Sequence, residues 1–276
     1  MIWWLNSAVG TLIKIIFLPF QNFSPWVAMI LISFLTALLM LFIYKKTSNQ
    51  AAIRQVKSQI KASLLELRLY QNDFRTLLSS QKELLTANWR YLLLNFKPLL
   101  IMIIPIFLIL AQLNLWFNYK SIQPGETFLL KVKFIDEVDM EGINLDLKAP
   151  KGLTVETPVL RIIDEKEADW RLRLEDQVSE ALIITVNGQR FQKEIPSIKN
   201  SLGRVSTIRV RKNLWQELLY PGEKPLPAES VIKRIEVVYP EQRLNCLGIG
   251  FHWLVAYFLL SIIFGLALKR PFKVEI

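Results

Sequence analysis

The chain of 276 residues has little cysteine or histidine, two side chains that often bind metals or take part in catalysis. It contains one of each, Cys246 and His252. A single thiol excludes an intrachain disulfide, and so few ligands nearly exclude a histidine–cysteine metal site. The sequence has no phosphate-binding glycine loop, no paired carboxylates within an apolar run and no zinc-protease signature. We therefore expect no enzyme activity, no cofactor, and neither catalytic nor metal-binding residues.

The chain is rich in hydrophobic residues, which make up 52% of the sequence. Three uncharged runs of about 20 residues are long enough for the ~30 Å hydrocarbon layer of a membrane. They are Pro25–Tyr44, Pro98–Phe117 and Leu247–Leu268. Pro105 lies within the second run and should kink it. These runs predict three transmembrane helices.

The first residues are apolar as well, but Lys14 lies two-thirds of the way through them, and Asn6, Ser7 and Thr11 gather on one side. This pattern favours an amphipathic helix at the membrane interface over a fourth span. The N-terminus lacks the charged region and cleavage site of a secretory signal, so we expect this helix to persist in the mature protein.

The net charge of +10 is unevenly distributed. Residues 45–97 contain ten lysines and arginines against three acids, whereas residues 118–246 contain twenty charges of each sign. A basic excess beside membrane spans marks the cytoplasmic side. The charge pattern predicts a multi-pass protein of the inner cell membrane, with its N-terminus outside and its C-terminus in the cytoplasm. It also argues against DNA binding, because the basic excess lies beside the spans rather than on a soluble face.

Residues 45–97 predict a cytoplasmic helical hairpin of the coiled-coil type. One apolar stripe recurs at three- and four-residue steps through Ile53, Val56, Ile60, Leu64 and Leu67, and a second follows Phe74. The basic face opposite the first stripe comprises Arg54, Lys57, Lys61 and Arg68. We expect the turn between Gln71 and Ser80, with turn chemistry from Asn72 and Asp73 and a capping box formed by Ser80 and Glu83.

Residues 118–246 change to short alternating runs separated by turn residues, which predicts about seven strands and an antiparallel β-sandwich of immunoglobulin type. The strongest hairpin signal is Asn187-Gly188 between two such runs. Trp170 is expected in the core rather than at a ligand site. The acidic clusters lack calcium-loop spacing, so we interpret them as solvated loops.

The predicted organisation combines these segments in chain order. It consists of an interfacial helix (1–24), a span (25–44), a cytoplasmic hairpin (45–97), a span (98–117), an extracytoplasmic β-sandwich (118–246), a span (247–268) and a cytoplasmic tail (269–276).

Polar side chains in or near the spans are candidates for lining a groove between the helices, because polar groups in lipid usually face protein or water. The candidates are Ser33, Thr36, Asn95, Gln112 and Asn114. Each of them alone could instead form an ordinary hydrogen bond to a neighbouring helix.

The order of these segments resembles the YidC/Oxa/Alb superfamily of membrane-protein insertases over roughly residues 1–117. Ser24-Pro25-Trp26 is similar to the family's approach to the first span, and Pro98 with Pro105-Ile106-Phe107 is similar to its second span. The three-span plan looks most like the archaeal members and the related subunit of the endoplasmic-reticulum membrane complex. Family members often carry an arginine in the first span, whereas Pro25–Tyr44 contains none.

Two functions are compatible with these features. The resemblance implies an insertase or chaperone in protein transport, which helps polar segments of client membrane proteins enter the bilayer through a groove. The alternative is a non-catalytic structural or assembly subunit that anchors an extracytoplasmic interaction domain. The expected partners are the lipid bilayer, client membrane proteins and either the ribosome or another membrane subunit.

Overall fold

The computed structural model describes residues 2–70, 73–178, 180–196, 202–246 and 248–275. Its helices are α1 (Ile2–Phe17), α2 (Pro25–Thr47), α3 (Gln50–Leu69), α4 (Phe74–Phe117), α5 (Leu214–Leu219) and α6 (Trp253–Leu268), with a 3-10 turn at Leu18–Phe20. Its strands are β1 (Thr127–Phe134), β2 (Leu145–Lys148), β3 (Leu153–Val155), β4 (Leu160–Ile162), β5 (Glu167–Leu174), β6 (Leu182–Val186), β7 (Gln189–Lys193), β8 (Ile208–Val210), β9 (Ile232–Val237), β10 (Leu244–Cys246) and β11 (Ile249–Phe251).

The chain forms two compact units. The first unit comprises Met1–Ala28 and Phe107–Ala256, and the second comprises Met29–Ile106 and Tyr257–Ile276. Helices α2, α4 and α6 each contribute residues to both units, because the boundaries fall within them.

Three helices in the described residues are long and apolar enough to cross a membrane: Trp3–Phe20, Pro25–Thr47 and Arg75–Phe117. Helix α4 is continuous over 44 residues and contains both Pro98 and Pro105. At 1.5 Å per residue it is about 66 Å long, roughly twice the hydrocarbon thickness of a bilayer. The predicted second span and the second hairpin helix are therefore one element.

The predicted start of the third apolar segment is wrong. Helix α6 begins at Trp253 and has 16 residues, and the residues before it form the antiparallel pair β10–β11. Gly248 has a φ of +85°, which glycine adopts without strain and which a helix cannot contain. Leu247, where that segment was predicted to begin, lies outside the described residues.

The hairpin is present, but its turn is shorter than predicted. Helix α3 ends at Leu69 and α4 begins at Phe74. Asp73 caps α4, since its carboxylate accepts hydrogen bonds from the backbone amides of Arg75 (3.1 Å) and Thr76 (3.4 Å) and from the Thr76 hydroxyl (2.6 Å). Asn72, the other predicted turn residue, lies outside the described residues.

The predicted capping box at Ser80 and Glu83 is wrong, because both residues lie inside α4. Ser80 is buried and donates a hydrogen bond of 3.0 Å to the carboxylate of Glu66 on α3. The Ser-x-x-Glu spacing therefore falls within a helix that Asp73 has already started, and the serine links the two hairpin helices.

The second unit has a small apolar cluster at the base of the hairpin. Ile53 of α3 is packed with Leu41 and Tyr44 of α2 and with Val274 of the C-terminal tail. The apolar stripe predicted for α3 is buried at this end, whereas Leu64 farther along it is half exposed. The C-terminal tail thus belongs to the packing of the hairpin base.

Besides the β10–β11 pair, the described part of the first unit contains two antiparallel sheets, and these two share one core. The larger has the order β3-β5-β1-β9-β8, with β4 also paired to β5, and the smaller has the order β2-β6-β7. Strand β1 alternates in burial, as expected of a strand with one face against a core. Trp170 on β5 is buried in this core, which confirms its predicted role.

The Asn187-Gly188 hairpin is confirmed. It joins β6 to β7, with Val186 opposite Gln189. Asn187 and Gly188 have φ values of +49° and +83°, and a two-residue turn with both φ positive is the type that matches the twist of paired strands.

Candidate functional site: a cavity among the helices of the second unit

The second unit contains a cavity of about 380 Å³ lined by α2, α4 and α6. Its lining residues recur every three or four positions, so that each helix presents one stripe to it. From α2 these are Thr36, Met40 and Tyr44; from α4, Asn95, Leu99, Met102 and Ile106; from α6, Tyr257, Ser261 and Gly265, among others.

The cavity wall is mainly apolar, with a few neutral polar groups. The Tyr44 hydroxyl donates a hydrogen bond to the side-chain oxygen of Asn95, and the Asn95 amide donates to the Tyr91 carbonyl at 2.7 Å. These two bonds fix the asparagine. Thr36, Tyr257 and Ser261 also contribute hydroxyls to the wall, and those of Thr36 and Ser261 have no hydrogen-bond partner among the described residues. Within the part of the chain that the structure describes, no lysine, arginine, aspartate or glutamate lines the cavity.

Gly265 leaves the cavity open on the α6 side. A Cβ at this position would meet no atom within 4 Å outside the backbone of its own helix. A larger side chain at residue 265 would therefore enter the cavity without a clash at its first carbon.

The predicted groove residues are divided between the two units. Thr36 and Asn95 line the cavity, whereas Ser33 is fully buried outside its lining and its hydroxyl has no hydrogen-bond partner among the described residues. Gln112 and Asn114 belong to the first unit. There the Gln112 amide donates a hydrogen bond of 2.8 Å to the carbonyl of Asn6.

Asn114 is half-buried, and its backbone carbonyl accepts a hydrogen bond of 3.3 Å from the Asn118 amide at the end of α4. Asn114 does not line the cavity. Of the five predicted groove residues, the structure thus brings Thr36 and Asn95 together.

The sequence reasoning missed Tyr44, Tyr257 and Ser261 as cavity residues. Tyr257 and Ser261 are four residues apart within an apolar run, which is the spacing of neighbours on one helical face. This spacing is the feature of the sequence that could have identified the two residues as part of one polar site. Tyr44 is the last residue of a predicted span, and this position gave no indication that it lines a cavity.

The predicted basic face of α3 is only partly free. Arg54 and Lys57 lie 3.7 Å and 3.5 Å from the carboxylate of Glu275, and the Gln50 side chain accepts a 2.7 Å hydrogen bond from the Glu275 backbone amide. Lys61 and Arg68 are exposed. The C-terminal tail therefore covers one end of the basic face and leaves the other end accessible.

The hairpin and the adjoining part of α4 also expose apolar side chains. Six of the most exposed are Leu65, Leu69, Leu85, Trp89, Leu92 and Phe96. Surfaces of this kind are rare on monomeric soluble domains and mark sites of contact with proteins or membranes.

Among the residues that the structure describes, no group of three histidine, cysteine, aspartate or glutamate side chains could hold a metal ion. The cavity offers neutral hydroxyls and an amide in an apolar wall, an arrangement suited to holding an apolar or weakly polar segment. No protein-family model, no curated protein and no solved structure shows a significant match to this chain.

Proposed function

We propose that the chain is an inner-membrane protein in which α2, the second half of α4 and α6 cross the bilayer. The basic hairpin and C-terminal tail lie in the cytoplasm, while the N-terminus and the β-domain lie outside. Glu275 and Val274 of the tail contact the start of α3. These contacts support the proposal that the tail and the hairpin lie on the same side of the membrane, as the charge pattern predicts. The two sheets that share a core support the prediction of an immunoglobulin-like sandwich for the β-domain.

The proposed function is that of an insertase or chaperone for membrane proteins, in agreement with the resemblance to the YidC/Oxa/Alb superfamily. The observation that carries it is the cavity among α2, α4 and α6, which is apolar but contains the hydroxyls of Thr36, Tyr257 and Ser261. Close packing stabilises helices in lipid, so a space of this size among three helices favours a role in receiving another segment.

The physical basis is the high cost of moving unpaired polar groups through hydrocarbon, which amounts to several kcal/mol per group. Hydroxyls and an amide on the cavity wall can replace part of the lost water by hydrogen-bonding to the client's backbone. The apolar remainder of the wall can contact the client's hydrophobic residues. The absence of an arginine in α2 means that neutral groups would perform this role here.

Filling the cavity tests the proposal. In cells depleted of the native chain, Gly265→Phe should abolish insertion of short-tailed client membrane proteins, measured by protease protection of their translocated tails. Ala267→Phe is the matched control, since Ala267 lies on the same helix, is exposed and does not line the cavity. Equal insertion by the two variants, at equal protein levels, would refute the insertase proposal.

The exposed apolar side chains of the hairpin favour a second candidate, a structural or assembly subunit that docks a cytoplasmic partner. In this case the spans would anchor the β-domain, and the β-domain would be needed for the main phenotype. Deletion of residues 120–245 separates the two functions, because an insertase cavity does not require that domain. Retained client insertion after the deletion would favour the insertase.

A further inference from the structure

Helix α5 of the first unit has its polar and apolar faces reversed relative to a helix on a soluble domain. Glu217 is buried, with 4% of its surface exposed, whereas Leu214 and Trp215 are 64% and 75% exposed. Leu219 is also exposed. A surface helix in water normally buries its apolar stripe and exposes its charges. The outward face of α5 therefore offers apolar side chains to a neighbour.

Helix α5 is bound directly to α1. The fully buried Asn6 side chain donates hydrogen bonds to the carbonyls of Glu217 at 2.8 Å and Leu218 at 3.4 Å. The Asn6 carbonyl in turn accepts from Gln112 of α4. These bonds tie α5 to the beginning of α1 and to the end of α4.

Helix α1 crosses the end of α4 obliquely. Asn6 and Gly10 of α1 lie against Gln112, and Phe17 makes edge-to-face contacts with Trp116 and Phe117 at centroid distances of 5.2 Å and 5.7 Å. At 1.5 Å per residue, residues 6 and 17 are about 16 Å apart along the axis of α1. The residues that they contact, 112 to 117, span only about 8 Å along the axis of α4. Parallel helices would advance equally, so α1 lies across the axis of α4.

The composition of α1 allows a membrane span, but this crossing favours the interface. If α4 crosses the bilayer, a helix lying across its end is inclined toward the membrane plane. The surface of α1 away from α4 is apolar and exposed, as shown by Trp4 (78%), Leu12 and Ile15. Such a surface fits the boundary between lipid head groups and acyl chains.

We propose that α1 and α5 together form one lipid-docking surface, through which the β-domain rests on the outer leaflet of the membrane. This interfacial surface comprises Trp4, Leu12 and Ile15 of α1 with Leu214, Trp215 and Leu219 of α5. The occupant is phospholipid at the head-group boundary.

Two observations favour lipid over a protein partner. Helix α5 is tied, through the Asn6 bonds, to a helix whose length and composition suit a membrane. Tryptophan, present in both helices, also prefers the head-group level of a bilayer. Arg211 and Lys212 precede α5 and line a surface depression with Lys233, Asp136 and Glu137. The two acids offset most of this basic charge, so apolar contact carries the interaction.

A depth measurement tests the proposal. The full chain carrying Cys246→Ser and Trp215→Cys is labelled at residue 215 with an environment-sensitive fluorophore. It is then reconstituted in phosphatidylcholine nanodiscs with and without doxyl-labelled lipid. We expect blue-shifted emission that the doxyl lipid quenches. The matched control is Leu160→Cys in the same background, because Leu160 is comparably exposed on β4; its label should keep water-like emission without quenching.

A second labelled position, Leu219→Cys, guards against a local effect at residue 215 and should be quenched as well. Water-like, unquenched emission at both α5 positions would overturn the proposal. So would protection of these positions from thiol reagents in cells without quenching in nanodiscs, since a protein would then cover α5. The measurement needs no client insertion, so its result is independent of the proposed insertase activity.

Discussion

The β-domain core of the first unit and the outer face of α4 in the second unit place apolar side chains in opposite environments. In the first unit, Leu130 and Leu172 on paired strands point into a core that excludes solvent. In the second unit, Leu100 and Ile104 of α4 point outward, and Ile104 is 64% exposed. Water drives apolar residues together, but lipid does not, because hydrocarbon tails are as apolar as leucine. This comparison supports the proposal that the helices of the second unit face lipid, whereas the core of the β-domain forms against water.

Buried polar groups differ between the units as well. The β-domain buries an ion pair, Lys193 with Glu223, in which the lysine also donates a hydrogen bond of 2.7 Å to the Ser206 carbonyl. The cavity wall of the second unit contains neutral hydroxyls and an amide. A buried charge is tolerated where several hydrogen bonds compensate it, and Glu223 accepts further bonds from the Ser206 hydroxyl and the Glu194 amide.

The largest expected effect is the loss of stability on removal of the ion pair between Lys193 and Glu223. Glu223→Ala should lower the free energy of unfolding of the β-domain by about 4 kcal/mol, because Lys193 would remain buried without a counter-charge. Hydrogen exchange of the β6–β7 peptides in the nanodisc-bound chain measures this loss. The control Glu229→Ala removes an exposed acid and should change little.

The same variant has a predicted pH dependence. Burial lowers the pKa of the Lys193 ammonium, and Glu223 opposes this shift in the native chain. With Glu223 removed, the unfolded chain binds more protons than the folded chain between the lowered pKa and the ordinary lysine value. The stability of Glu223→Ala should therefore rise with pH across this window. A pH-independent loss would contradict a charge effect.

The next effect tests the contrast between water and lipid directly. Leu172→Ala in the β-domain core should cost about 3 kcal/mol, the usual cost of a cavity at a fully buried leucine. Ile104→Ala on α4 should cost less than about 1 kcal/mol, because lipid can occupy the vacated space. Thermal unfolding of both variants in nanodiscs provides the comparison. Similar losses would mean that Ile104 faces protein rather than lipid.

The smallest effect concerns the cap of α4. Hydrogen bonds from Thr76 and Arg75 lower the pKa of the Asp73 carboxyl. The carboxylate therefore stabilises the start of α4 above the ordinary aspartate pKa of about 3.9, and this contribution is lost as the pH falls through the lowered value. Exchange protection of the peptide following residue 73 should decline in this acidic range.

Asp73→Asn is the matched control for the cap, because asparagine also accepts hydrogen bonds at a helix start but does not titrate. Its exchange protection should be independent of pH over the same range. An identical acidic decline in both proteins would assign the transition to another group.

Much of the fold could be predicted where a local pattern is sufficient. The apolar run in α2, the hairpin between two apolar helices and the Asn187-Gly188 turn each depend on neighbouring residues. Strand β11 was missed, because Ile249 and Phe251 belong to the same uncharged run as the helix that follows. Hydrophobicity alone does not distinguish a short strand from the start of a helix.

The candidate site was less predictable, because its residues come from three helices distant in sequence. Thr36 and Asn95 were identified by their polarity within or beside apolar runs. Gln112 is equally polar within such a run, but its amide donates a hydrogen bond to the Asn6 carbonyl and does not line the cavity. Polarity marks a residue that needs a partner. It does not identify the partner.

The sequence by itself determined which segments are apolar, where the basic charge lies and where strands turn, because each property depends on residues that are neighbours along the chain. Only the tertiary structure decided that Glu275 reaches α3, that α5 turns Trp215 outward and that an unfilled space remains beside Gly265. These features result from packing between helices and strands distant in sequence, and steric fit among them cannot be read from local periodicity.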